Sequence, residues 1–283
     1  MRPHVECVQQ ADLIDHDAEL PTAVGGATQR NLSYDEEVGA ASTLVKLAKG
    51  WRRPRGYHHA ITEWFVLEGS ILVDGHERRP GTYWRAPRGM VVPEVRTSEG
   101  ATVLVYREAG DFGFSPSDSD HPGVERDWTE VDSDAMVWQE VTKAGPAPGL
   151  FIKMLHQHSI TGAYSRLIWA ARGWVDARLA HHPCSEEAYT LSGSMTYNFG
   201  ELQTGVYFYR PPWIKHGHFL SGEPEGCTWI IRSDGELENL YTDDARIIVE
   251  AEALNYDPET AGPIIAGIPV RSRMLGEWSR DGQ

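Results

Sequence analysis

The chain has 283 residues, enough for one large domain or two of medium size, and carries a formal net charge of −15. An acidic surface repels nucleic acid and anionic membranes, so neither is expected as a partner. No apolar run approaches the ~20 residues of a membrane span, and the first twenty residues lack the apolar core of an export signal. Three cysteines, Cys7, Cys184 and Cys227, are too few for a disulfide framework, which suits a reducing cytoplasm.

In chain order, the predicted elements are short strands: "STLVKLA" at 42–48, "EWFVLEGSILV" at 63–73 and "ATVLVYRE" at 101–108. They are rich in β-branched and aromatic residues. Turn signals separate them, among them "DG" at 74–75, "RPG" at 79–81 and "SEG" at 98–100; "LVDGHERRPG" at 72–81 reads as a hairpin. The polar stretch "GDFGFSPSDSDHPG" at 110–123 reads as a linker. Strands resume with "GLFIKMLH", "SRLIWAA", "EAYTLSGSMTYNF", "GVYFYRP" and "CTWIIRS", and "GELQTG" at 200–205 reads as a hairpin turn. The best helical stretch is "TDDARIIVEAEAL" at 242–254, where acids lead an apolar run. Many short strands with regular turns define an all-β sandwich or barrel.

One offset of 124 residues joins His58 to His182, Gly69 to Gly193, Gly81 to Gly205 and Pro87 to Pro211. Four matches without a gap imply a duplicated module, since the period is too long for a solenoid. The expected division is residues 1–115, 116–245, and an extension over 246–283.

The second copy carries His182-x3-Glu186-x6-Gly193 and then Gly205-x5-Pro211-x4-His216. Two histidines and one carboxylate form the ligand set of non-haem iron, with positions left open, and the same set holds zinc with water as a fourth ligand. Neighbouring strand residues face opposite ways, so His181 enters the site with His182 only if the strand bulges. Glu187 is the rival carboxylate to Glu186. Cys184 can ligate a soft metal, although an ordinary loop role is the simpler reading. His218, two residues beyond His216, shares its face if the strand continues. In the first copy His58 persists, but Thr62 stands at the place of Glu186 and Val92 at that of His216. His59 and Glu63 lie one position out of step.

These stretches resemble the two cupin motifs, G(X)5HXH(X)3–4E(X)6G and G(X)5PXG(X)2H(X)3N. The chain resembles a bicupin, particularly the small cupins similar to the zinc-binding domain of the ChrR anti-sigma factor. The likeness covers roughly residues 25–110 and 140–240, with Ala180, Trp213 and Leu220 departing from the motif. It implies two tandem jelly-roll (double-stranded β-helix) barrels, the first without metal. The second would hold one divalent ion on His182, Glu186 and His216: Fe2+ first, with Zn2+, Mn2+ or Ni2+ as alternatives. It further implies a metal-dependent oxygenase of the dioxygenase type acting on a small organic substrate, with Glu187 or His181 moving protons. A non-redox isomerase, cyclase, lyase or hydrolase and a non-enzymatic sensor are the alternative readings. Arg166, Arg172, Arg178 and Arg232 border the second module, where an arginine can clamp a substrate carboxylate. Edge strands suggest a homodimer.

Overall fold

The β-branched and aromatic runs form strands, and every pairing between named strands is antiparallel. A computed structural model of the chain describes residues 2–242, other than 112, 123, 125, 126, 142–148 and 223. Two three-residue 3-10 turns, Gln10–Asp12 and Ser133–Ala135, are the helical elements among the described residues. The stretch 242–254 read as helical and the extension 246–283 lie, beyond residue 242, outside them.

The chain divides into two compact units. The first comprises Gln10–Val137 with the first three residues. Its seven-stranded sheet runs Thr129–Asp132, Thr82–Ala86, Thr62–Gly69, Ala101–Arg107, Ala41–Leu47, Ala27–Tyr34 and His16–Asp17, and smaller sheets of three and four strands accompany it. Alternate residues of the central strands supply the core: Val45, Trp64, Val66, Trp84, Val103 and Val105 cluster together. Each such burial contributes roughly 1.5–3 kcal/mol. Trp64 and Trp84 stack with ring centroids 5.3 Å apart. Asp74 and Gly75, at φ +50° and +75°, make the two-residue turn between Ile71–Val73 and His76–Arg78.

The polar stretch at 110–123 is not the boundary expected of it. Phe114–Pro116 is a strand paired with Gly56–His58, and Thr129–Asp132 pairs with Thr82–Ala86. Residues 116–137 thus belong with the first unit, and the division falls at Val137/Trp138. Phe114, 6% exposed, anchors a segment whose Ser, Asp and Gly neighbours hide it in a composition count.

The second unit comprises Trp138 onward together with His4–Gln9. Its sheet orders Gln139–Glu140, Leu150–Gln157, Tyr164–Ala170, Cys227–Ser233, Glu186–Tyr197, His216–Ser221, Val175–His181 and Leu240–Thr242, while Val5–Gln9 pairs with Val206–Arg210. Of the stretch read as a turn, Gly200–Gln203 is a strand, with turns at Asn198–Phe199 before it and Thr204–Gly205 after it. The core gathers Ile168, Trp174, Met195, Phe208, Trp229 and Ile231.

The 124-residue offset is visible in the strands themselves. Thr62 and Glu186 open equivalent strands, and Thr82–Ala86 matches Val206–Arg210 end to end. Gly69 and Gly193 sit at φ +70° and +74°. A Cβ on Gly193 would lie 2.0 Å from the Gly226 carbonyl oxygen. Gly193→Ala is expected to destabilise the chain by about 1–3 kcal/mol, from left-handed strain plus that clash. A midpoint in urea unchanged from wild type would refute this.

Candidate metal centre

His182, Glu186 and His216 are buried, and one ligand atom from each lies within 4.8 Å of the others. Local register explains the convergence. Ala180 pairs with His216 across neighbouring strands, and His182 lies two residues on from Ala180, on the same face. Glu186 pairs directly with Arg210. The Trp213 amide donates to the His182 carbonyl at 2.8 Å, tying the loop before His216 to the histidine strand. Trp213, which stands where the cupin motif has glycine, keeps the left-handed backbone at φ +73°.

The imidazole Nε2 atoms of His182 and His216 are 3.1 Å apart. Glu186 Oε1 is 3.9 Å from His182 Nε2, and Oε2 is 3.5 Å from His216 Nε2. His216 Nδ1 is 3.0 Å from the Ile214 carbonyl; as a donor there, it leaves Nε2 with a lone pair facing the cluster. Burial, reinforced by the charge of Arg210, lowers the His216 pKa to about 3, so the ring is neutral. Burial alone would raise the Glu186 carboxyl, but His182, His216, Arg210 and Arg166 facing it hold it below the usual carboxylate range. Two imidazole nitrogens converging on an ionised carboxylate suit a divalent cation of the iron or zinc type. Among the described residues no other group of three His, Cys, Asp or Glu side chains converges in this way.

Arg210 is the residue that sequence reasoning missed. Its Nη1 donates to Glu186 Oε2 at 3.2 Å, while Nε and Nη2 donate to Glu6 at 2.7 and 3.2 Å. Its side chain is 3% exposed. The Glu6 carboxylate overrides the cost of burial and holds the guanidinium charged. Tyr197 also donates to Glu6. Arg210 lies two residues after Phe208, so alternation could have placed it on the inner face; Glu6, 204 residues away, gave no signal.

The triad opens on a cavity of about 270 Å³, walled by Ile168, Trp174, Phe208, Phe219 and Trp229. Arg166 and Arg178 also line it. Arg178 is engaged by both carboxylate oxygens of Asp176. Arg166 touches the Tyr164 hydroxyl at 3.4 Å, and its buried Nε has no partner among the described residues.

The proton-transfer roles expected of Glu187 and His181 lack the geometry. Glu187 faces away from the cavity, buried, accepting from the Tyr207 hydroxyl and from Arg232 Nη1 at 2.7 Å. His181 points to the face opposite His182, tilted against Trp213 at 5.9 Å. The bulge in its strand falls between Asp176 and Leu179, too early to turn it inward. Gly217 and His218, at φ +155° and +56°, break the alternation that would have aligned His218 with His216, and His218 does not line the cavity. Cys184 is buried outside the cluster, its thiol pKa raised by burial. In the first unit Glu63 accepts from the Tyr83 hydroxyl at 2.8 Å, and His59 contacts Asp111 and Ser115.

The described residues thus form an all-β fold with a buried two-histidine, one-carboxylate cluster beside a cavity. Residues 6–240 match a family described as a domain of unknown function, DUF4437, and the chain belongs to that family. No curated protein matches it. Among solved structures it is similar to a Nostoc punctiforme protein proposed to be a dioxygenase, with TM-score 0.76 and 18% identity over 86% of this chain and 87% of that one. It is similar too to a Pseudomonas aeruginosa protein proposed to be glyoxylate-induced, with TM-score 0.62 and 15% identity over 86% and 95%. A third is Bacillus subtilis oxalate decarboxylase, in a study of its Mn(II) centres, with TM-score 0.53 and 17% identity over 88% and 84%. At these identities the likeness establishes the fold, which is of the cupin type.

Proposed function

We propose that the second unit holds one divalent metal ion on His182, Glu186 and His216 and acts as an oxygenase on a small organic substrate, aromatic or dicarbonyl in kind. The observation that carries this reading is the convergence of three buried ligand atoms within 4.8 Å on the wall of an apolar cavity. When bound, iron would offer open positions to substrate and dioxygen, whereas zinc would polarise a carbonyl or a water. Iron is the favoured ion, with zinc, manganese or nickel as alternatives.

The chain's own groups prepare the site. Arg210 fixes the Glu186 carboxylate through Oε2. The Ile214 carbonyl sets the His216 tautomer. The aromatic walls exclude water and receive an apolar substrate body. Arg166, whose Nε–H has no partner among the described residues, orients an anionic oxygen of the substrate. That same arginine favours a second reading, a non-redox metal enzyme such as a decarboxylase of a small carboxylate, which the likeness to oxalate decarboxylase supports. Within the same proposal each unit is one jelly-roll barrel, the chain forms homodimers through an edge strand, and its free cysteines suit a reducing cytoplasm.

The test is oxygen uptake by the full chain reconstituted with Fe2+, screened against diketones, catechols and small hydroxy acids. Oxygen consumption in wild type and none in Glu186→Gln is the expected result. Substrate turnover under strict anaerobiosis would replace the oxygenase with the non-redox reading. Absence of turnover with every metal would leave a binding protein or sensor. Light scattering at the mass of a single chain would remove the dimer.

A further inference from the structure

Among the described residues, the first unit encloses a charge without a counter-charge. Arg53 is 2% exposed, on the two-residue strand Arg52–Arg53. Among the described residues its side chain has no hydrogen bond and no ion pair. Its guanidinium instead lies over the rings of Trp64 and Phe114, 5.2 and 4.5 Å from their centroids, and its Nε is buried without a partner. Burial lowers its pKa to about 9. An isolated buried cation is among the most costly groups a protein can hold.

Arg53 lines a cavity of about 40 Å³, and other unsatisfied groups line it too. Among the described residues, the Thr62 hydroxyl and the Trp64 indole N–H are buried and unpartnered. Guanidinium and indole are donors only, and the hydroxyl can donate as well. His58 joins them, its pKa pushed well below the ordinary value by burial first and by Arg53 next, so it is a neutral imidazole. The acidic residues of the wall, Glu19 and Asp111, are exposed and act on Arg107, whose guanidinium is already bonded to the Gly39 carbonyl. The inner wall is therefore rich in donors, positive, and free of carboxylates.

We propose that this cavity is a binding site for a small carboxylate, of formate or acetate size, held in bidentate fashion by Arg53 with Thr62 and Trp64 completing its hydrogen bonds. The size follows from the volume. One water needs roughly 10–15 Å³ on this measure, so only a few heavy atoms fit. The class follows from the planar fork of the guanidinium, which matches a carboxylate. The 124-residue offset gives a reason for the change of ligand. Thr62 and Val92 stand where Glu186 and His216 stand in the second unit, so the groups that would attract a metal cation are gone. A fixed cation, Arg53, takes over and attracts an anion. This goes beyond the reading of the second unit and does not depend on it.

The test uses the full chain after dialysis against chelator, titrated with sodium acetate or formate against sodium chloride of equal ionic strength. Melting temperature and saturation-transfer NMR of the ligand are the readouts. Wild type is expected to gain a few degrees in Tm with either carboxylate and none with chloride. Arg53→Met is expected to lose the response while melting at or above wild type in chloride, since an unpaired charge has been removed. Thr62→Val should weaken acetate binding about tenfold, through one lost hydrogen bond, and it decides the matter if Arg53→Met fails to fold. The response should survive in His216→Ala. No carboxylate effect beyond chloride, an effect that persists unchanged in Arg53→Met or Thr62→Val, or one that vanishes in His216→Ala would overturn the proposal.

Discussion

His216→Ala is expected to strip the metal from the chain, taking elemental mass spectrometry from about one ion per chain to less than a tenth of that. The proposed site has three protein ligands, and His216 supplies one of two nitrogens, already neutral and held with Nε2 inward. Removing it leaves one imidazole and one carboxylate, a set that binds divalent ions weakly. Glu186→Gln should lose metal nearly as completely while keeping the same volume. Val92→His is expected to recruit no second ion, because Thr62 supplies no carboxylate beside it. Full metal content in His216→Ala would end the triad reading, and two ions in wild type would place a second site outside it.

Arg210→Met is expected to cost about 3–5 kcal/mol in urea denaturation, the range found when one partner of a buried ion pair is removed. Arg210 forms ion pairs with two carboxylates at once, Glu6 and Glu186. Its loss would leave both in a site sealed by Phe208 and Tyr197, over whose rings the guanidinium lies at 3.6 and 5.2 Å. The double variant Glu6→Gln/Arg210→Met should recover a good part of the stability, because one stranded charge is removed with its partner. A loss below about 1 kcal/mol in the single variant, the scale of an exposed pair, would show that solvent reaches this network.

Much of the second unit's chemistry was legible because it is local or strictly repeated. The spacing to Gly193 favours Glu186 over Glu187 as the inward carboxylate, and the 124-residue offset pairs Gly69 with Gly193, both of which hold left-handed backbone. Alternation set His181 on the face opposite His182 unless the strand bulges, but it left Glu187 open beside Glu186. The remainder depended on contacts that no window of sequence contains. Glu6 meets Arg210 only because the strand Val5–Gln9 pairs with Val206–Arg210. Arg53 sits in a run of charged residues, "WRRPR", yet its side chain is enclosed while Arg52 is exposed. Phe114 was masked by polar neighbours, so a strand was read as a linker. In each case the deciding term is burial against a distant element, which outweighs local composition.

The placement of Val5–Gln9 has a consequence for how the molecule is made. As the chain is synthesised, Glu6 emerges 204 residues ahead of the arginine it neutralises. Residues 10–137, nearly all of the first unit, lie between them. Closing a loop of that length adds little to the equilibrium cost, which grows only with its logarithm, but it delays the contact. The second unit's sheet is therefore complete only after Val206–Arg210 has been made and the early strand has found it. Until then the carboxylate beneath the metal centre has no share in the Glu6–Arg210 pair. Trimming residues 4–9 would look like shortening a lead-in to the first unit, yet it would take a strand from the second.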